Sequence, residues 1–256
     1  MEIPPAPGTS MTAAFDARAH SYAKHAFIQR DAAAWLAEWL EPQGSTASLA
    51  AIEFGPGDGV FTRRLAGRFA SLRAVEIAPR MVARGAKALP EVVWSVGDAW
   101  RPERLGRQLV DRLYSSSMLQ WCPDPTGVLR RWRRQLRPGG RTLNGFYVAP
   151  TLSEWRSLGA ACSPFVWRSP HDWTRTFADA GWRVLRSESQ TRKYLFPTAL
   201  DLLRFFHRTG AVVPQKTPAG AVRRMLRELD RRYAASSTAR GVPTEWTFFR
   251  IEAARE

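Results

Sequence analysis

Between Ala51 and Gly59 the chain reads Ala-Ile-Glu-Phe-Gly-Pro-Gly-Asp-Gly. An apolar run from Leu49 to Phe54 meets three glycines at alternate positions, and an amphipathic stretch opens at Val60. That order predicts strand, tight turn, helix. Glycines let the backbone turn sharply and come close to a ligand. A helix start adds unpaired N–H groups for a polar or anionic part of that ligand. A second apolar strand, Leu72 to Val75, ends in Glu76. This is about the spacing at which doubly wound folds set an acid against a ribose hydroxyl pair. The third strand ends in Gly97-Asp98-Ala99, where an acid can accept a hydrogen bond from an adenine amino group. Glu76 and Asp98 together would bracket an adenosine. Val60 stands where an ordinary dinucleotide fingerprint has its third glycine. No Lys-Ser/Thr pair follows the turn, so a triphosphate loop is excluded. A nucleoside cofactor of another kind is expected.

The alternation continues along the chain. Strands are expected at 49–54, 72–77, 92–96, 111–116 and 141–148, and helices at 60–69, 79–88 and 124–137. Such alternation argues for a parallel sheet covered on both faces. Trp35, Leu36, Trp39 and Leu40 place one core-facing side on an earlier helix within 13–40. In the helix at 124–137, Val128, Leu129, Trp132 and Leu136 form the apolar stripe, with Pro138-Gly139-Gly140 as its stop. Arg130, Arg131, Arg133, Arg134 and Arg137 cover the remainder, as a solvated face or as a docking surface for an acidic partner. Past residue 150 the alternation breaks. Helices are expected at 151–161 and 170–180, strands at 182–190 and 244–253, and a helical insertion at about 197–237. Residues 1–12 read as a disordered tail, leaving 13–256 as a single domain.

Charge matters because it selects partners. The chain has 38 Lys and Arg against 23 Asp and Glu, a net +15, and only four of the cations are lysines. Such a field should attract an acidic protein, a nucleic acid or an anionic small molecule. No RNA-binding module and no aromatics interleaved with the basic clusters are evident, so a stable nucleic-acid partner is not expected. Cys122 and Cys162 are too few for a disulfide framework. The Pro-rich start, Met1 to Ser10, lacks the pattern of a secretory signal, and no stretch has the length of a membrane span. A cytoplasmic protein without membrane attachment is expected. His20, His25, His171 and His207 lack metal-ligand spacing, and no metal is expected.

These features resemble those of class I S-adenosylmethionine-dependent methyltransferases, and within them the malonyl-[acyl-carrier protein] O-methyltransferases of biotin synthesis. Glu53 to Gly59 is similar to the family's cofactor loop, Val75 to Met81 to its ribose-binding segment, and Gly97-Asp98-Ala99 to its adenine-contacting turn. Many methyltransferases share these three. More specific are Tyr22 to Arg30, which resembles the family's N-terminal helix, Ser115 to Cys122, which resembles the segment after its fourth strand, and Leu202 to Ala211, which resembles the arginine-bearing helix of its lid. The family usually has Asn where Ser116 stands, and lysine is common where His207 stands.

The resemblance implies a Rossmann-like α/β fold, a seven-stranded sheet with its last two strands antiparallel, and a helical lid insertion. It implies S-adenosyl-L-methionine as cofactor, held by Glu53, Gly55, Gly57, Gly59, Glu76, Met81, Asp98, Ala99, Ser116 and Met118. Tyr22, Trp121 and Arg204 would serve the substrate, with Gln29 and Gln120 as weaker candidates. Trp121 is as readily core wall as pocket wall. The implied reaction is methylation of the free carboxylate of a malonyl thioester on an acidic acyl-carrier protein. A carboxylate is ionised at neutral pH, so no side chain is required as a general base. Arg204 would recognise that carboxylate through its planar fork. Rival readings are a methyltransferase for another small metabolite, one for RNA, and a cofactor-binding regulatory protein without activity.

Overall fold

The computed structural model describes residues 25–106, 108–153, 167–209 and 241–256, with isolated positions at 13, 16, 17, 220, 223, 224, 227, 228 and 231. The tail 1–12, Tyr22, the helix expected at 151–161 beyond residue 153, Cys162, Gly210-Ala211 and most of the rest of the insertion lie outside the described residues.

Seven strands form one sheet in the order β3-β2-β1-β4-β5-β7-β6. They are β1 (Ala50–Phe54), β2 (Ser71–Glu76), β3 (Val93–Val96), β4 (Val110–Ser116), β5 (Leu136–Val148), β6 (Arg183–Phe196) and β7 (Val242–Ala254). The first five pair in parallel, and β7 runs antiparallel between β5 and β6. The strand order reverses beside β1, whose neighbours are β2 and β4. Ligands of open α/β sheets bind outside the carboxyl ends at such a switch point.

Six α-helices are defined among the described residues: α1 (Phe27–Ala37), α2 (Thr62–Leu65), α3 (Pro79–Ala88), α4 (Pro125–Arg133), α5 (Pro170–Asp179) and α6 (Ala199–Thr209). Proline stands in the first turn of α3, α4 and α5, where its missing N–H costs nothing and its fixed φ suits the helix. Ser169 and Asp172 close a reciprocal cap at the start of α5. The expected helix at 60–69 shrinks to α2, because the glycine turn extends to Phe61. The expected helix at 124–137 also stops early. Leu136 pairs with Val110 as the first residue of β5, and Pro138-Gly139-Gly140 makes an irregularity within that strand span. Leu136 is buried either way, so its apolar character fits both readings.

Trp132, Trp173, Phe54, Phe146 and Phe249 fill the core on the side of α4 and α5. Leu36, Ala51, Phe61, Leu65 and Tyr114 fill another. A third cluster joins Ile28 and Trp35 of α1, Leu202, Phe205 and Phe206 of α6, and Tyr147, Trp246 and Phe248 of the sheet. Each leucine, isoleucine or phenylalanine among them contributes about 1.5–3 kcal/mol by leaving water. A buried arginine fixes α1 to the sheet. Arg250 of β7 donates to Glu188 at 2.6 Å, Glu38 at 3.0 Å and the Trp35 carbonyl, and lies over the Trp35 and Trp39 rings. Around α4, Arg130 donates to Asp179 O, Arg131 to Trp100 O and Arg133 to Glu256 O, and Arg137 pairs with Asp111. Those four arginines fasten neighbouring elements together.

Candidate active site

A cavity of about 1320 Å³, its open mouth included, lies at the carboxyl ends of the central strands. Its mixture of rings with a few polar groups suits a small organic ligand. One end is formed by the glycine turn. Gly55 has φ +67° and Gly57 φ +59°, and the Gly55 N–H donates to Val75 O at 2.9 Å. A Cβ on Gly55 would fall 2.1 Å from Met118 Sδ, so the turn packs directly against the segment after β4. Gly59 also has positive φ, +91°, but does not line the cavity. It closes the turn, donating to Pro56 O and accepting from the Arg63 N–H.

Glu76, at the end of β2, takes a backbone N–H on each carboxylate oxygen: Gly57 on Oε2 and Ala78 on Oε1, both at 3.0 Å. Burial raises its pKa, and those N–H donors oppose the rise. Each oxygen keeps a further lone pair, enough for a diol. Asp98 accepts from the Trp100 N–H at 2.8 Å through Oδ1 and also faces the cavity. Its turn is held from behind, where Trp132 Nε1 donates to Ala99 O at 2.7 Å and the Trp100 and Trp132 rings stack.

Glu53 is fully buried in the cavity wall. Neither carboxylate oxygen has a hydrogen-bond partner among the described residues. Burial pushes its pKa up to about 8, the charge of Glu76 adds to the rise, and the nearby Thr62 hydroxyl partly offsets it. Gln29 Oε1 and Gln120 Oε1, also in the wall, are buried without a partner. No Arg, Lys or His appears among the described residues of the lining. These unmet acceptors fit a ligand that brings donors and positive charge. A sulfonium linked to an α-amino acid, joined to an adenosine reaching Glu76 and Asp98, is such a ligand.

The structure brings Glu53, Gly55, Gly57, Glu76, Met81, Asp98, Ala99, Ser116, Met118 and Trp121 to one cavity. Trp121 is both pocket wall and core wall, because it also packs in the cluster with Ile28 and Trp35. Arg204 is not brought there. The buried face of α6 carries Leu202, Phe205, Phe206 and Thr209, and a residue two positions from both Leu202 and Phe206 falls on the opposite side. Arg204 is exposed and pairs with Asp201 at 3.0 Å. Thr209 lines the cavity instead. Sequence reasoning missed Ile77, Trp100, Ser117, Tyr147, Thr209 and Trp246. Ile77 had a signal, an apolar residue directly after the strand-end acid, and it is 37% exposed. Among the described residues no group of His, Cys, Asp and Glu could hold a metal, and no helix is long and apolar enough to cross a membrane.

Sheet order and strand directions give the chain the class I methyltransferase fold, with the glycine turn and strand-end acids at the carboxyl edge of its sheet. Residues 52–143 match the family model described as "Methyltransferase domain". The bifunctional biotin biosynthesis protein BioCD of Bordetella avium is 32% identical over 238 residues, covering 89% of this chain and 50% of that protein. The malonyl-[acyl-carrier protein] O-methyltransferase of Halorhodospira halophila is 29% identical over 216 residues, covering 77% of this chain and 69% of that one. The chain spans about half the length of the bifunctional relatives it matches. Among solved structures, phosphoethanolamine N-methyltransferase 2 of Haemonchus contortus in complex with S-adenosyl-L-methionine aligns with a TM-score of 0.56 at 16% identity, covering 94% of this chain and 57% of that one.

Proposed function

We propose that the protein transfers a methyl group from S-adenosyl-L-methionine to the free carboxylate of a malonyl thioester carried on an acyl-carrier protein. The observation that carries this reading is the cavity at the strand ends. It offers paired acceptors for an adenosine at one end and unmet acceptors for positive charge beside them. Relatives named as malonyl-[acyl-carrier protein] O-methyltransferases support the choice of acceptor.

When bound, the cofactor supplies an electrophilic methyl on a positively charged sulfur. The protein's part is alignment. Glu76 would hold the ribose hydroxyls, Asp98 the adenine amino group, and Glu53 the α-ammonium. The glycine turn lets the backbone approach closely, and the rings of Trp100, Trp121 and Trp246 would exclude water. An in-line attack requires oxygen, methyl carbon and sulfur on one axis, and holding them there contributes on the order of 7–11 kcal/mol. A carboxylate needs no proton removed, in keeping with an acceptor end built of amides, hydroxyls and rings. The net charge of +15 would steer an acidic carrier protein toward the surface.

The test is methyl transfer from labelled cofactor to malonyl-carrier protein, with acetyl-carrier protein and bulk RNA as controls. Transfer to the malonyl carrier alone supports the reading. Transfer to RNA, or cofactor binding with no transfer to any acceptor, overturns it. Carrier docking has its own readout: turnover of the carrier-bound substrate should fall with salt more steeply than turnover of a short malonyl thioester. Equal salt dependence would remove the docking step.

A further inference from the structure

The cavity end away from Glu76 presents uncharged donors in a fixed arrangement. Ser117, just past β4, has φ +57°, a left-handed conformation that serine seldom adopts. Two bonds hold it there. Its N–H donates to Gly145 O at 2.7 Å, and its carbonyl accepts from Gln120 Nε2 at 2.8 Å. In that conformation Ser117 Oγ lies 3.4 Å from the Tyr147 hydroxyl and donates to it. Tyr147, at the end of β5, is buried in the cavity wall with its ring edge-on to Trp246 at 5.3 Å. Burial pushes the phenol above its usual range, so it stays protonated. Its oxygen already accepts from Ser117, which leaves its own proton for a third group. Strained residues of this kind cluster where a ligand is gripped.

We propose that the Tyr147 hydroxyl, oriented by Ser117, receives the carboxylate of the methyl acceptor and selects it. This rests on the carboxyl-methylation reading above and names the residues that would read the carboxylate. The chemistry favours a neutral donor. The attacking carboxylate loses its charge on the way to the transition state, so a guanidinium clamp would stabilise the bound substrate more than the transition state. A phenol O–H orients the carboxylate with a smaller penalty of that kind. The counter-charge would be that of the methyl donor when it is bound. A buried hydroxyl left unpaired also discriminates against an acetyl thioester, which has no second carboxyl group to fill it. Arg204, turned outward and paired with Asp201, is not required.

The test titrates malonyl-pantetheine into protein loaded with the cationic, non-transferring cofactor analogue sinefungin, alongside steady-state kinetics with the transferring cofactor. Tyr147→Phe keeps the ring and removes the hydroxyl. It should weaken malonyl-pantetheine binding and raise its KM about tenfold, while kcat and sinefungin affinity change by less than about threefold. Ser117→Gly suits the left-handed backbone, so its Tm should equal or exceed that of the wild type while its KM rises in the same direction. That split separates orientation of Tyr147 from a merely structural role. Arg204→Ala should leave binding and KM unchanged. The proposal is overturned if Tyr147→Phe and Ser117→Gly both stay within about twofold of wild type, or if Arg204→Ala produces the rise in their place. A wild-type protein that methylates another acceptor but not malonyl thioesters overturns the functional reading, and this proposal with it. Malonyl turnover with unaltered variants overturns the role of Tyr147 alone.

Discussion

At the end of the cavity formed by the glycine turn, the walls are backbone and carboxylate. Gly55 and Gly57 turn with positive φ, and Glu76 is held by two main-chain N–H groups. At the other end the walls are amides, hydroxyls and rings: Gln29 from α1, Gln120, Tyr147 from β5, Thr209 from α6 and Trp246 from β7. The first end is made by residues next to strands that pair deep in the sheet. It has little room to change without breaking the turn. The second is assembled from elements distant in sequence, and single side chains there can be exchanged while the sheet stands. Cofactor recognition should therefore be rigid, and acceptor choice adjustable.

Four substitutions probe this contrast. Gly55→Val should have the largest effect. It forces a β-branched residue to φ +67° and into Met118 Sδ, about 1–3 kcal/mol for backbone strain with a similar amount for overpacking. Cofactor affinity should fall at least about a hundredfold by calorimetry, and a valine enzyme with near-native affinity would break the rigid half of the comparison. Glu76→Ala comes next. It strands the buried N–H of Ala78 at about 1–3 kcal/mol and leaves the part-buried Gly57 N–H without its acceptor, lowering both thermal stability and cofactor affinity. A variant that loses affinity with unchanged Tm would show that the carboxylate serves the ligand but not the turn.

Glu53→Gln sharpens the comparison through pH. In the unliganded protein the group rises from 4.5 to about 8, so between those values the folded state holds a proton that the unfolded state lacks. Its contribution to stability is greatest below pH 4.5 and is lost as pH rises toward about 8. A cationic ligand favours the ionised form, so binding should release a proton and tighten as pH rises, levelling off above about 8. Calorimetry in buffers of different ionisation enthalpy reads that proton directly, and Glu53→Gln should abolish both the release and the slope. An unchanged slope would put the proton elsewhere. Arg204→Ala should have the smallest effect, about twofold at most on activity, because its ion pair with Asp201 is exposed.

The same contrast explains what could be read from sequence. The turn and the acids Glu76 and Asp98 sit beside apolar strands within a short span, so pattern and spacing revealed them together. The helix at 79–88 and the seven strands stand where they are expected, with strand ends displaced by up to six residues. Leu136 misled because a buried leucine satisfies a helix stripe and a strand equally. At the other end of the cavity no local pattern exists. Tyr147 and Trp246 read as ordinary strand core, and only the packing of α1 and α6 over the sheet turns them into a wall. Arg204 stands apart from the described cavity lining for a related reason: the arginine type suits a carboxylate, but the side of a helix that faces a cavity is set by its packed neighbours.

The most direct test of the account is calorimetric titration of the purified protein with S-adenosyl-L-methionine and with S-adenosylhomocysteine. The account predicts one saturable site per chain for the methyl donor, tighter at pH 8 than at pH 6 and weakened at least about a hundredfold in Gly55→Val. Absence of measurable affinity for both compounds would contradict it.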